Sequence, residues 1–268
     1  MFSLKEKVIV VTGATGILGY SFIKALSSAG AIVGVLGRNE KVAEERVNEI
    51  IGTGGKAIAL IADVQNEEAL YTCCQKVIKA FGKIDGLVNA AGGNVPEAVL
   101  QPTEDLFAMN LDGMKKAMDV NLWGTVLPTL IFGKIIAHNG GGSIVNISSV
   151  SVPRTLTKVL GYSMGKSAVE SFNKWFAVEL ANRYGDKVRM NALVPGFFLT
   201  EQNRTLLTNS DGTYTSRGES VIRHTPFKRF GQADELAGAL VWLLSDASGF
   251  VTGATITVDG GFNAFSGV

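Results

Sequence analysis

The stretch Thr12-Gly13-Ala14-Thr15-Gly16-Ile17-Leu18-Gly19 follows a β-branched run at residues 8–11 and opens a segment of helical periodicity. Glycines at such a strand-to-helix turn let the backbone approach a pyrophosphate group at a helix N-terminus. The same glycines could instead serve only a tight turn and close helix packing. Taken alone, the motif favours a dinucleotide-binding unit and leaves the structural alternative open.

Short β-branched runs alternate with longer segments of helical periodicity along the whole chain. The predicted strands are residues 8–11, 32–36, 57–62, 87–89, 144–148, 188–193 and 254–258. The predicted helices are residues 18–29, 41–51, 67–81, 112–138, 162–183 and 233–244. Seven strands with intervening helices predict an α/β fold, a doubly wound parallel sheet with helices on both faces. No linker or repeat divides the chain, so we expect a single Rossmann-fold domain over residues 1–268.

The composition excludes several classes of function. Hydrophobic residues make up 46% of the 268 residues, which allows a large buried core. Lysine plus arginine number 25 against 24 for aspartate plus glutamate, so no bulk charge favours nucleic acid as a partner. Cys73 and Cys74 are adjacent and are interpreted as helix packing residues. His138 and His224 lie near no cysteine or carboxylate cluster, so we expect no metal site.

The protein is expected to be cytoplasmic. Only a short polar lead precedes the first strand, which leaves no room for a secretory signal. No segment reaches the roughly 20 uninterrupted apolar residues of a membrane helix. The polar segment 201–229 departs from the alternation of strands and helices, and connections this long are often lids. We therefore predict a substrate lid there.

Polar or glycine-containing clusters follow the predicted strands. They are Gly37-Arg38, Asp63-Val64, Asn89-Ala90-Ala91-Gly92, Ser148-Ser149 and Pro195-Gly196. Because the carboxyl ends of parallel strands lie along one edge of the sheet, these clusters should meet in one ligand-binding crevice.

Tyr162 and Lys166 are four residues apart at the start of a predicted helix, so their side chains share one face. An ammonium group and an oxidised nicotinamide ring would favour the tyrosinate form and bring the tyrosine toward its working range. Ser149, at the preceding strand end, could hydrogen-bond the reacting oxygen. A Tyr-x-x-x-Lys pair is also common on surface helices, and it gains its meaning here from the crevice.

The whole sequence resembles the classical type of the short-chain dehydrogenase/reductase family. The matching residues are Thr12 to Gly19, Asp63-Val64, Asn89-Ala90-Ala91-Gly92, Asn121, Ser149, Tyr162-Ser163-Met164-Gly165-Lys166, Pro195-Gly196 with Thr200, and Val258-Asp259-Gly260-Gly261. The resemblance implies that Tyr162 is the general acid/base, that Lys166 lowers its pKa and holds the nicotinamide ribose, and that Ser149 orients the substrate oxygen. It further implies that Asn121 supports a water-linked proton path from Lys166.

The resemblance also implies a nicotinamide cofactor along the crevice. Asp63 and Val64 would contact the adenine, and Thr200 with Pro195 and Gly196 the nicotinamide end. The full set of expected cofactor contacts is Gly13, Thr15, Gly16, Ile17, Leu18, Gly19, Arg38, Asp63, Val64, Asn89, Ala90, Ala91, Gly92, Tyr162, Lys166, Pro195, Gly196 and Thr200. One departure from the family pattern is that Ile17 replaces the middle glycine of the motif while Gly16 shifts it one place forward.

The second strand ends in Gly37-Arg38, where NAD-specific folds place an acidic side chain against the ribose. Without that carboxylate, and with a guanidinium that can pair with a 2′-phosphate, these residues favour NADP(H). NAD(H) stays open, because the sugar-acid relatives described next suggest it.

Several stretches resemble a group within this family, the D-mannonate oxidoreductases, also called fructuronate reductases. They are Ala91-Gly92-Gly93-Asn94, residues 195–204, His224-Thr225-Pro226 with Arg229-Phe230-Gly231, and residues 261–268. The resemblance implies interconversion of D-fructuronate and D-mannonate. A sugar acid needs a cation for its carboxylate and polar groups for its hydroxyls, and the predicted rim offers Arg154, Lys158, Arg204, Arg217 and Arg223 with Asn94, Gln202 and Asn203. Arg154 and Arg204 are favoured because they lie close in sequence to catalytic or nicotinamide-end motifs. The expected substrate residues are therefore Asn94, Ser149, Arg154, Tyr162 and Arg204.

Two alternatives remain. Another polyol or sugar-acid dehydrogenase, such as gluconate 5-dehydrogenase, would share the catalytic residues and differ at the rim. A dinucleotide-sensing protein without turnover should have lost part of the Ser149, Tyr162 and Lys166 set, which is intact. By the family resemblance we also expect a homotetramer built through the helices near residues 112–138 and 162–183.

Overall fold

The computed structural model describes residues 2–267, with the backbone alone described at residues 201–203. Its centre is one parallel sheet of seven strands in the order β3-β2-β1-β4-β5-β6-β7. The strands are β1 (Val8–Thr12), β2 (Ile32–Gly37), β3 (Lys56–Ile61), β4 (Gly86–Asn89), β5 (Gly142–Ile147), β6 (Val188–Pro195) and β7 (Thr255–Val258). This confirms the predicted doubly wound sheet in a single domain.

Helices cover both faces of the sheet. They are α1 (Ile17–Ser28), α2 (Glu40–Gly52), α3 (Glu67–Phe81), α4 (Leu111–His138), α5 (Leu160–Tyr184), α6 (Glu201–Leu207), α7 (Ser216–His224) and α8 (Ala237–Leu244). Helices α1, α2 and α8 pack on one face, and α3, α4 and α5 pack on the other. The predicted helix at residues 233–244 divides into a 3₁₀ turn, Ala233–Leu236, followed by α8.

The side chains of the central strand β1 point alternately into two separate hydrophobic cores. Ile9 and Val11 join the cluster under α1 and α8, whereas Val8 and Val10 join the cluster under α3, α4 and α5. Successive side chains of a strand point to opposite faces, so a continuous apolar run is what a strand buried on both faces requires. Cys73 and Cys74 lie buried in α3 as free thiols, as expected of packing residues.

Helix α4 is the one helix within the described residues that is long and apolar enough, by length and composition, to cross a membrane. Half of its most apolar window is buried inside the protein. It packs along α5 and against β4 and β5, and it buries the polar residues Asn121, Thr125 and Thr129 together with Pro128. In this structure α4 is a core helix of the α/β fold.

The segment predicted as a polar lid contains two helices, α6 and α7, that periodicity did not reveal. Both are short, and helices of seven and nine residues depend on tertiary packing for their stability. That packing comes from a small apolar cluster of Leu207, Val221 and Phe230. The side chain of Thr215 caps α7 by accepting a hydrogen bond from the Gly218 amide. The segment is therefore a folded unit above the carboxyl edge of the sheet.

Candidate active site

Two adjoining cavities lie at the carboxyl edge of the sheet. The long cavity, about 560 Å³, runs over the glycine motif from Arg38 to Thr200. The short cavity, about 220 Å³, lies between the end of β5, the start of α5 and the segment that carries α7. Six residues line both cavities: Leu18, Ala90, Gly92, Gly93, Asn94 and Thr200. The two cavities are thus one continuous crevice.

Most of the predicted site residues meet in this crevice. The long cavity is lined by Gly13, Thr15, Gly16, Ile17, Leu18, Gly19, Arg38, Asp63, Val64, Ala90, Ala91, Gly92, Asn94 and Thr200. The short cavity adds Ser149, Tyr162, Lys166, Pro195 and Gly196. Four predicted residues, Asn89, Asn121, Arg154 and Arg204, line neither cavity.

The glycine motif forms a backbone cradle along the long cavity. Gly13 has a φ of +65°, and a Cβ there would stand 2.8 Å from the carbonyl oxygen of Ala90. A Cβ at Gly19 would collide with the carbonyl oxygen of Gly13. The first turn of α1 has no side-chain cap and no acidic residue, and Gly16 and Ile17 both line the cavity there. Its amide groups and positive dipole end suit a pyrophosphate, so the cradle fits a dinucleotide.

One end of the long cavity carries a guanidinium beside a carboxylate. Arg38 Nη1 lies 3.6 Å from Asp63 Oδ2, and the Arg38 side chain is 80% exposed. A Cβ at Gly37 would stand 2.6 Å from Cγ2 and 2.8 Å from Oγ1 of Thr15. The Thr15 side chain thus fills the space that a larger residue at position 37 would need.

Asn89 and Asn121 support the crevice from behind. The Asn89 amide group donates to Thr129 Oγ1 at 2.8 Å and to Asn146 Oδ1 at 2.9 Å, which ties β4 to α4 and β5. Asn121 is fully buried in α4 and grips the backbone of Gly93, accepting from its N–H at 3.0 Å and donating to its carbonyl at 2.8 Å. These bonds fix the loop that separates the two cavities.

Thr12 has a structural role that the glycine motif alone did not reveal. Its buried hydroxyl accepts hydrogen bonds from the amides of Ala90 and Ala91, both at 3.1 Å. The end of β1 is thereby joined to the loop after β4. A buried polar residue at the end of an otherwise apolar strand was the signal available in the sequence.

Ser149, Tyr162 and Lys166 form a compact cluster in the short cavity. Ser149 follows β5, Tyr162 lies in the first turn of α5, and Lys166 lies one turn later. The Ser149 and Tyr162 side chains are hydrogen-bonded to each other. Lys166 Nζ donates to the Ile147 carbonyl oxygen at 2.8 Å and lies 5.9 Å from the centre of the Tyr162 ring. A phenol, a hydroxyl and an ammonium therefore converge on one small volume.

Burial dominates the electrostatics of this cluster. It raises the pKa of the Tyr162 phenol above its ordinary value, and the hydrogen bond with Ser149 offsets part of that rise. Burial also lowers the pKa of the Lys166 ammonium to about 8. The phenol therefore keeps its proton near neutral pH and is suited to donate it. Acting as a base would require a further positive charge nearby, such as an oxidised nicotinamide.

The two cations favoured as carboxylate ligands lie outside the short cavity. Arg154 donates to the Asn263 carbonyl through Nε at 3.0 Å and Nη2 at 2.7 Å, and to the Phe265 carbonyl at 2.6 Å. Its guanidinium therefore anchors the C-terminal segment. Arg204 is exposed on α6. The arginine that does line the short cavity is Arg217, on α7, which was not among the favoured cations.

No group of three or more His, Cys, Asp or Glu side chains within the described part of the protein is arranged to hold a metal ion.

The comparisons with known proteins agree with this geometry. A family profile described as enoyl-(acyl carrier protein) reductase matches residues 13–263. The uncharacterized oxidoreductase UxuB of Bacillus subtilis (strain 168) is 39% identical, with 99% of this chain and 98% of that protein covered. The chain belongs to the short-chain dehydrogenase/reductase family. It is accordingly an NAD(P)-dependent oxidoreductase.

Two solved members of the family are similar over nearly their whole length. A candidate D-mannonate oxidoreductase from Haemophilus influenza, solved with bound NAD, is 36% identical with a TM-score of 0.91, covering 99% of this chain and 98% of that one. A gluconate 5-dehydrogenase from Burkholderia cenocepacia, solved with NADP and tartrate, is 31% identical with a TM-score of 0.86, covering 98% and 97%.

Lys166→Met tests the buried ammonium through stability. The pKa of Lys166 is about 8 in the folded protein against an ordinary 10.5, so the charged form destabilises the fold at neutral pH and this penalty fades between pH 8 and 10.5. Without added cofactor, we expect the variant's stability relative to wild type to fall as the pH rises through that range. Urea unfolding of both proteins at several pH values measures it.

Lys187→Met, at an exposed lysine, is the matched control and should show no such trend. A stability difference between Lys166→Met and wild type that stays constant with pH would contradict the lowered pKa.

Proposed function

We propose that this enzyme interconverts a keto sugar acid and the corresponding hydroxy acid, specifically D-fructuronate and D-mannonate. The observation that carries the proposal is the short cavity, in which Ser149, Tyr162 and Lys166 adjoin the dinucleotide cradle. Its volume of about 220 Å³ favours a compact substrate. A bound nicotinamide would supply or accept the hydride.

In this proposal the protein's own residues handle the proton. The Tyr162 phenol donates a proton to the substrate oxygen in reduction and accepts one in oxidation. The Ser149 hydroxyl orients that oxygen by a hydrogen bond. The Lys166 ammonium stabilises the tyrosinate form by its charge and holds the nicotinamide ribose. Asn121 holds the Gly93 backbone beside Lys166 and supports a proton path toward solvent.

Polar groups near the cluster support a hydroxylated substrate. Asn94 lines both cavities, and its side-chain Oδ1 is buried with no hydrogen-bond partner among the described residues. An unpaired buried acceptor is costly, so a rotation of this amide that brought it to a sugar hydroxyl would be favoured. The D-mannonate oxidoreductase and gluconate 5-dehydrogenase relatives both have names that refer to sugar acids. Gluconate is therefore the second candidate substrate. It is favoured because the gluconate 5-dehydrogenase was solved with tartrate, which is also a hydroxy acid.

For the cofactor we propose NADP(H) ahead of NAD(H). Arg38 lies at the cavity end where the 2′-phosphate would lie, and Thr15 fills the space in which an acidic residue at position 37 would bind a ribose. The nearby Asp63 carboxylate weakens the preference, because it already pairs with Arg38 and would repel a phosphate. The relatives include one solved with NAD and one with NADP.

We further propose a cytoplasmic homotetramer in which the segment 201–229 closes over the substrate. Helices α4 and α5 expose large apolar side chains that a second copy of the protein would cover. They are Trp123, Leu130, Trp175 and Val178, each at least half exposed. The lid role of the segment rests on Leu206, Leu207 and Arg217, which line the short cavity from above.

A spectrophotometric substrate screen tests the proposed reaction. D-fructuronate should oxidise the reduced cofactor, and D-mannonate should reduce the oxidised one, with kcat/KM at least about tenfold above gluconate and 5-ketogluconate. A preference for the gluconate pair would move the assignment to the second candidate. Absence of turnover with every keto acid, despite cofactor binding, would instead support a dinucleotide-sensing role.

Arg38→Gln tests the cofactor preference. Losing a charge-assisted bond to the 2′-phosphate should lower kcat/KM for NADP(H) about 10- to 100-fold and leave that for NAD(H) within about threefold. Lys56→Gln is the control. It removes an exposed cation at the start of β3, and this residue does not line the cavity. If wild type already prefers NAD(H) by more than about tenfold, the assignment of Arg38 to the phosphate is wrong.

A further inference from the structure

Arg217 is a cation half-buried in the wall of the short cavity. It lies in the first turn of α7 and lines the same cavity as Ser149 and Tyr162. The side chains of Leu156, Leu206 and Leu207 line this cavity too, so part of its surroundings is apolar. Burial lowers the pKa of the guanidinium from its ordinary value. A charge in such a place is costly unless an anion or strong hydrogen bonds compensate it.

The described side chains do not provide that compensation. Arg217 makes two long hydrogen bonds to one exposed residue, from Nη1 to Thr157 Oγ1 at 3.2 Å and from Nη2 to the Thr157 carbonyl at 3.4 Å. By contrast, Arg229 holds both Glu235 oxygens at 2.6 and 2.7 Å. No described acidic side chain lines the short cavity. Arg217 is therefore a partly desolvated guanidinium without an anion.

Three other cations near the short cavity are already engaged or lie outside it. Lys166 donates to the Ile147 carbonyl and lies beside the cradle, and Arg154 is bonded to the C-terminal carbonyls. Arg204 is exposed to solvent and lines neither cavity. Of the side chains that the structure describes around the short cavity, Arg217 alone offers a guanidinium fork to a ligand.

We propose that Arg217 binds the substrate carboxylate and makes this enzyme specific for acids over neutral polyols. The inference rests on the proposed function and assigns its specificity to a residue. A carboxylate would replace the long bonds to Thr157 with a bidentate, charge-assisted pair. Because the cation is carried on α7, binding an acid would also tie the segment 201–229 to the substrate.

The test compares Arg217→Gln and Arg217→Lys with wild type. For D-mannonate, we expect Arg217→Gln to raise KM and lower kcat/KM about 10- to 150-fold, and Arg217→Lys to fall between, because an ammonium keeps the charge without the fork. With the neutral polyol D-mannitol, all three should agree within about threefold. Arg204→Gln, an exposed cation of the same segment, should behave as wild type toward both compounds.

Thermal unfolding of the cofactor-loaded proteins provides a readout that does not need turnover. D-mannonate should raise the Tm of wild type and of Arg204→Gln but not that of Arg217→Gln, while the cofactor alone should stabilise all three alike. This measurement tests the role of Arg217 separately from the proposed reaction. Stabilisation of wild type by D-mannonate without turnover would reject the proposed reaction and retain Arg217 as a carboxylate ligand.

Three results would overturn the inference. They are unchanged D-mannonate kinetics in Arg217→Gln, an equal loss with D-mannitol, and D-mannonate stabilisation that is absent from wild type or persists in Arg217→Gln. The first would leave the proposed reaction intact, because wild type would still turn over the acid.

Discussion

The reversal of strand order between β1 and β4 is the constraint on which the site depends. The connections leave β1 toward β2 on one side and enter β4 on the other, which opens a crevice at their carboxyl ends. The Thr12 hydroxyl stabilises the wall of that crevice by accepting hydrogen bonds from the amides of Ala90 and Ala91. On one side of the crevice, the glycine cradle leads into the first turn of α1. On the other side, the Asn121 side chain of α4 is hydrogen-bonded to the Gly93 backbone. The long and short cavities meet at this point, so the proposed hydride and proton donors are brought together by the sheet itself.

The short cavity combines cations with an absence of described carboxylates. Burial lowers the pKa of both Lys166 and Arg217, and it raises that of the Tyr162 phenol. All three shifts have the same physical cause, since desolvation disfavours the charged form of each group. Bound ligands would reverse part of these pKa shifts. An anionic substrate would do so by pairing with Arg217, and a positively charged nicotinamide by favouring the tyrosinate form of Tyr162. The buried charges of the site are therefore unfavourable without ligands, and the proposed ligands would offset part of that cost.

Much of this could be predicted from sequence where covalent spacing or periodicity decides the geometry. Tyr162 and Lys166 share a helix face because they are four residues apart, and buried β-branched runs identified the strands to within two residues at their ends. Side-chain direction in irregular segments could not be predicted this way. Arg154 lies close in sequence to Ser149, yet the C-terminal carbonyls hold it, whereas the more distant Arg217 enters the cavity. Helices α6 and α7 were missed because a tertiary cluster stabilises them.

Turnover by Tyr162→Phe tests directly whether the Tyr162 hydroxyl transfers the proton, since the substitution removes one hydroxyl and keeps the ring. We expect a loss of about 10²- to 10⁴-fold in kcat, the usual contribution of a general acid/base, with cofactor affinity unchanged within a few-fold. Tyr71→Phe, at an exposed position of α3, should retain wild-type turnover. Retention of more than about a tenth of wild-type turnover by Tyr162→Phe would contradict this role of Tyr162, because another group would then transfer the proton.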